Sequence, residues 1–285
     1  MLRKPKPTYG DLIEASDGLQ RPVHLPGLYS NSVGSESHLW TLDHLLSLEP
    51  SGTAIVEHYS DGDKRKRFTN VSKPFSELSE LMATEPEKWF IASQDFDRMF
   101  PKVAPSLAPL PILPPDPRRL MRSAFFGFNT RSAMHFHTRD QAVLTQLRGN
   151  KTFIFTAPDS TAEIATNSPF GNRPQYSTHG PDQGEDAFES FAALVGAERV
   201  GEVQMAAGDS LFIPVHWWHW VEGDGETLSV TTFWRARAQD WSMPSPGLRS
   251  LAALSIASVV GLMRRAVDVV SRFGNRPARD GNTND

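Results

Sequence analysis

Cysteine does not occur in this chain of 285 residues. That absence removes both a disulfide framework and thiolate metal ligation, and it leaves imidazoles and carboxylates as the strong metal ligands. An excess of one charge is missing too: 29 Lys and Arg face 33 Asp and Glu, a formal net of −4. Such a balance offers no global attraction to nucleic acid or acidic membranes, so nucleic acid is not favoured as a partner. The start, Met1-Leu2-Arg3-Lys4-Pro5-Lys6-Pro7, lacks an apolar signal-peptide core. The apolar C-terminal stretch Leu248 to Met263 is short for a bilayer and is interrupted by Arg249 and serines. A cytoplasmic protein without a membrane span is therefore expected. No internal repeat is present.

Hydrophobic residues make up 39% of the chain, enough to bury a substantial core in one large domain with extensions. Residues 1–20 are polar and read as a flexible N-terminal arm, with the domain itself over 21–240. Residues 241–274 read as a C-terminal helical extension whose Leu248, Leu251, Leu254, Val259, Leu262 and Met263 suit a buried or dimer-forming helix. Residues 275–285 read as a disordered tail. Within the domain, Trp40 to Leu48 and Phe75 to Met82 have helical spacing, and Thr53 to Tyr59 reads as a strand. The proline-rich stretch Pro101 to Pro117 reads as a connector wrapping the surface before a barrel strand over Ser123 to Asn129. Asp159 to Glu189, rich in Gly and Pro, reads as a long loop, either a lid contacting substrate or a disordered insertion. A helix over Ala187 to Val195 and a strand near Val200 to Met205 follow.

Two segments carry the chemistry: Met134-His135-Phe136-His137, and the run from Gly208-Asp209 through Ile213-Pro214 to Trp217-Trp218-His219. Alternate side chains of a strand share a face, so His135 and His137 point the same way. A third imidazole from a distant strand would close a facial metal site inside a β-barrel. The alternating run after His137, then Arg148-Gly149-Asn150-Lys151, then Phe153-Ile154-Phe155, reads as two strands joined by a tight glycine turn. Asp140 sits at an odd offset from both histidines, on the opposite face unless a bulge intervenes. His216 reads as a rim or surface histidine, Gly208-Asp209 as a tight turn, and Trp217, Trp218 and Trp234 as packing.

Together these segments resemble the cupin-like JmjC family, the group containing the asparaginyl hydroxylase that inhibits hypoxia-inducible factor. Members share His-x-Asp/Glu, a Gly-x-Lys turn, Gly-Asp-x-Leu-Phe-Ile-Pro-x-x-Trp-Trp-His and a strand ending in Phe-Trp. Here these are His135-Phe136-His137, Gly149-Asn150-Lys151, Gly208 to His219, and Val230 to Trp234. The resemblance covers roughly residues 20–236, with Arg21 to Leu28 similar to the family's short leading strand. It implies a mainly β fold, a double-stranded β-helix (cupin/jelly-roll) barrel with flanking N-terminal and C-terminal helices. It implies a non-haem Fe(II)/2-oxoglutarate-dependent dioxygenase, a hydroxylase acting on a peptide side chain or small metabolite, and a homodimer formed through C-terminal helices. The family's ligand places fall on His135, His137 and His219, with His137 where members carry a carboxylate. Lys151 stands at the lysine for the distal carboxylate of 2-oxoglutarate and Ser132 at a hydroxyl that helps hold it. Thr232 replaces an asparagine near the proximal carboxylate. The imidazole at His137 keeps two alternatives open: a metal-binding or scaffold cupin without turnover, and a three-His cupin dioxygenase that does not use 2-oxoglutarate.

Overall fold

The computed structural model describes residues 1–4, 6–30, 37–49, 51–60, 68–168, 173–177, 179–181 and 186–241. The expected C-terminal helix and tail, and any pairing through them, lie outside the described residues. Nine strands form the framework: β1 Val23–Leu25, β2 Thr53–His58, β3 Thr69–Pro74, β4 Trp89–Asp95, β5 Met121–Phe128, β6 Asp140–Thr156, β7 Val200–Met205, β8 Ser210–Ile213 and β9 Trp218–Arg235. They run in the order β1-β8-β6-β9-β5-β4-β2-β3, with β7 also on β6. All pairings are antiparallel and the path does not close. The long strands β6 and β9 lie side by side from Asp140 opposite Arg235 to Thr156 opposite Trp218. On its other edge β6 takes β8 along its first half and β7 along its second. The β6–β9 pair therefore passes from one layer into another, which is the cupin double-stranded β-helix.

β6 corrects one expectation. Gly149 makes no hairpin: both flanking halves continue in one direction along β9. At φ +70° Gly149 sits in a bulge, with register shifts between Gln146 and Arg148 and between Arg148 and Asn150. A left-handed glycine serves a bulge as readily as a turn, so the local sequence does not separate the two. Here the shared partner strand decides. The bulge also changes parity. Ala142 and Leu144 face the barrel interior before it, and Phe153 and Phe155 face it afterwards. Lys151 enters the barrel by the same shift.

The N-terminal segments cover the outer face of the larger layer. Residues 1–20, expected as a loose arm, instead contribute the helix Tyr9–Ala15, closed at its start by a Thr8–Asp11 capping box. Its Leu12 is fully buried in the main core, and the Leu2 N–H donates to the His24 carbonyl at 2.8 Å. The helix Phe75–Thr84 buries Phe75, Leu78 and Met82, the stripe its apolar spacing requires. The proline-rich connector is not confined to the surface. Val103, Ala104, Leu107, Leu110 and Ile112 are buried, because the apolar residues between the prolines insert into the core while the prolines need no ladder partner. Among the described residues no helix is long and apolar enough to cross a membrane.

Candidate metal centre

The segment 130–137 lies antiparallel to the chain entering β9. Thr130 accepts from Gly223 N–H at 2.7 Å, Ser132 N–H donates to Val221 at 2.8 Å, and His216 N–H donates to His137 at 3.0 Å. Between them, His135 N–H donates to the His219 carbonyl at 3.0 Å and His219 N–H to the His135 carbonyl at 2.8 Å. His135 and His219 are thus a mutually hydrogen-bonded cross-strand pair with side chains on one face. His137, two residues along, joins them on that face. Ring centroids lie 4.1 Å apart for His135 and His219, 4.7 Å for His137 and His219, and 6.0 Å for His135 and His137. The three offer nitrogens that all lie within 4.8 Å of one another. They line a cavity of about 330 Å³.

Carbonyls set two of the tautomers. Nδ1 of His135 donates to Ala133 at 2.9 Å and Nδ1 of His219 to Trp217 at 2.9 Å, since a carbonyl can only accept. Nε2 is left as the lone-pair nitrogen of each ring, an arrangement that fixes ring orientation at metal sites. Nδ1 of His137 is buried with no hydrogen-bond partner among the described residues, an unmet demand that a cation would relieve. Burial pushes the His135 imidazole down to about 4, with Arg173 adding repulsion, and pushes His137 down to about 3, with His135 adding to it. His219 is held well below the ordinary value, first by burial and then by its two neighbours. His135 and His137 touch only the solvent space of the cavity, and depth within the protein governs their charge. Three neutral imidazoles converging on one face are a suitable donor set for a first-row divalent metal.

These shifts predict acid sensitivity. Each imidazole has a folded value below the 6.5 of the open chain, so below pH 6.5 the unfolded chain takes up protons that the native state refuses. The stabilising contribution is complete above that pH and is lost as pH falls toward the folded values near 4 and 3. The slope is about 1.4 kcal/mol per pH unit for each imidazole kept neutral. Denaturant unfolding between pH 7 and 4 is expected to show this fall, and saturating Mn(II) is expected to raise stability across the range without flattening it, since a metal-bound imidazole also refuses the proton. A flat profile would show that these imidazoles titrate in the folded protein as they do in the open chain.

The other expected residues divide. Lys151 is 4% exposed, lines the cavity, and donates from Nζ to Ser229 Oγ at 2.7 Å. Ser132 also lines it, accepting from Val221 N–H at 3.1 Å. Thr232 does not reach it. Along β9 Thr231 and Phe233 line the cavity, so Thr232 takes the opposite face, in a groove with Tyr29, Arg122 and Thr145. Asp140 stands in the cavity wall, paired with Arg235 at 3.1 Å and outside the imidazole trio. His216 is neither rim nor surface. It is fully buried, its Nε2 donates to Thr138 at 3.2 Å, and its ring packs edge-on to Phe136 and Trp241. Trp217 and Trp218 anchor to Gln20 and Thr161, and Trp234 packs in the main core. Asp209 receives N–H bonds from Gly27 at 2.8 Å and Ala206 at 3.1 Å, closing its turn.

Sequence reading missed a second group on the cavity wall. Tyr176 lies face to face with His135, centroids 5.0 Å apart and planes 13° apart. Arg173 sits 4.8 Å from the Tyr176 ring and 4.0 Å from the Phe68 ring, and pairs with Glu57 at 3.6 Å. Glu57 also accepts from the Tyr59 hydroxyl. The only signal for this group was the length of the loop that carries Arg173 and Tyr176.

A double-stranded β-helix gathering three imidazoles on its inner face defines a cupin with a candidate metal centre. The chain belongs to the cupin-like JmjC family, whose model, described as a cupin-like domain, matches residues 28–240. A putative JmjC domain-containing protein of Acanthamoeba polyphaga mimivirus is 48% identical over 33 residues, which are 12% of this chain and 6% of that protein. Family and imidazole cluster together fit a metal-dependent oxygenase.

Proposed function

We propose that the chain is an Fe(II)/2-oxoglutarate-dependent oxygenase that hydroxylates a peptide side chain or a small metabolite. The observation that supports this reading is one cavity lined by His135, His137 and His219 together with the buried ammonium of Lys151. A cation held among Leu144, Phe153 and Phe233 is costly to desolvate and is a natural receptor for a carboxylate. The imidazoles would hold the iron, whose chemistry there is oxygen activation coupled to oxidative decarboxylation of 2-oxoglutarate. Lys151, steadied by Ser229, would orient the distal carboxylate with Ser132, whose oxygen already accepts from Val221 and whose hydrogen stays available to donate. Phe153 and Phe233 would keep water from the site. Lys151→Ala is expected to weaken 2-oxoglutarate binding to the Mn(II)-loaded chain at least ~10-fold by calorimetry. Equal binding by the variant would remove this reading.

Two observations favour a second reading, a three-His cupin dioxygenase that takes its substrate directly on the metal. His137 supplies no negative charge where the family has a carboxylate, and Thr232 faces away from the cavity. His137→Asp separates the two. In a weakened 2-oxoglutarate enzyme the variant is expected to retain metal and release more succinate. In a three-His enzyme it is expected to lose the native reaction.

A further inference from the structure

The strand order of the smaller layer places two cations on opposite sides of the imidazoles. Phe155 of β6 pairs with His219 of β9, His219 with His135, and His135 with Tyr176. Lys151 belongs to the first of these strands and Arg173 to the turn leading into the last, so three strand spacings separate the strands that carry them. The histidine-bearing strands lie between them.

The Arg173 guanidinium lies 4.0 Å from the Phe68 ring and 4.8 Å from the Tyr176 ring, within the range of cation–π attraction, which leaves its N–H groups available to an anion. Its nearest acid, Glu57, is 3.6 Å away and already engaged by the Tyr59 hydroxyl. That separation is longer than a hydrogen bond, and no Arg173 N–H makes one to a described residue. The backbone beneath is pinned: the Arg173 carbonyl accepts from Tyr176 N–H at 3.1 Å and Asn167 Nδ2 at 3.2 Å. Gln175 accepts from Phe136 N–H at 3.1 Å. Arg173 lines the same cavity as Phe90, Phe125 and Tyr59, so an anion reaching it would carry its apolar body along an aromatic wall.

We propose that Arg173 is the specificity-determining residue of this cavity, reading the carboxylate of a substrate with an apolar or aromatic body. Lys151 would remain the receptor for the cosubstrate. The assignment rests on the reading of this cavity as the substrate site, and not on the use of 2-oxoglutarate. A planar guanidinium fork matches a carboxylate through two parallel N–H bonds, and Glu57 is displaced when the substrate arrives.

Hydrocinnamate and its uncharged amide test this on the full chain by calorimetry, first without metal so that coordination cannot substitute for Arg173. The acid is expected to bind at least ~10-fold more tightly than the amide. Arg173→Gln is expected to erase that preference and leave the amide unchanged, while Arg131→Gln, whose charge is exposed and paired with Glu222, leaves both unchanged. Arg173→Lys, which keeps the charge without the fork, should recover only part. Equal binding of acid and amide by the wild type, which requires no variant to fold, would overturn the proposal. So would undiminished acid binding by Arg173→Gln. A 2-oxoglutarate affinity that depends on Arg173 and not on Lys151 would overturn it by making Arg173 the cosubstrate receptor. If 2-oxoglutarate does not bind at all while the acid still depends on Arg173, the 2-oxoglutarate reading falls and this one stands. A blocked peptide with a single glutamate, run beside the free acid, distinguishes a protein side chain from a small metabolite as the source of the carboxylate.

Discussion

His219→Ala is expected to reduce metal affinity at least ~100-fold, more than loss of a group that merely orients a ligand would cost. His219 is central to the trio, with ring centroids 4.1 Å from His135 and 4.7 Å from His137. The hydrogen bonds that join its strand to His135 are made by backbone atoms, so the alanine variant keeps the ladder. It loses side-chain packing and the Nδ1 hydrogen bond to the Trp217 carbonyl, about 2 kcal/mol of stability. The two readouts therefore separate: calorimetry with Mn(II) or Zn(II) shows the loss while the metal-free unfolding curve moves little. Unchanged affinity would show that the ion binds elsewhere.

Gly149→Ala is expected to destabilise the fold by about 3 kcal/mol or more. A Cβ there would lie 2.2 Å from the Glu226 carbonyl oxygen and 3.1 Å from Thr227 Cγ2, and the obstacle is backbone that cannot swing aside. The left-handed conformation at φ +70° adds about 1–2 kcal/mol for any side chain. Gly225→Ala is the control, at φ +61° with nothing within 4 Å of its Cβ, and it should cost only the conformational part. Because the bulge at Gly149 turns Lys151 inward, whatever folded fraction survives should also bind 2-oxoglutarate poorly. Equal denaturation midpoints for the two variants would mean that the bulge relaxes without penalty.

Much of this was legible in local sequence. The spacing of His135 and His137 and the run from Gly208 to His219 were enough to place three imidazoles on an inner face, because strand periodicity is a short-range property. Helices such as Phe75–Thr84 followed from apolar spacing for the same reason. What failed depended on partners far along the chain. Gly149 has the local signature of a turn, and only the continued pairing of β6 with β9 makes it a bulge. Thr232 lies one residue from an inward position, so a position matched by family pattern alone put it on the wrong side of the strand. Residues 1–20 looked too polar to pack, yet Leu12 and Leu19 are buried in the main core and Tyr9 packs against it. Arg173 and Tyr176 carried no periodic signal, since a loop's contacts are set by the surface it crosses.

Every partner of β6 follows it in the chain: β7, β8 and β9 all lie later. During synthesis this apolar strand therefore leaves the ribosome with both edges unpaired; one edge waits for β7 and β8, complete at Ile213, and the other stays open until Arg235 has emerged. A nascent chain stalled before β9 would offer β5 and β6 as open templates for other strands, the form of exposure that recruits chaperones or seeds aggregates. His219 lies at the start of that same late strand, so its imidazole cannot join those of His135 and His137 until that end of β9 has docked.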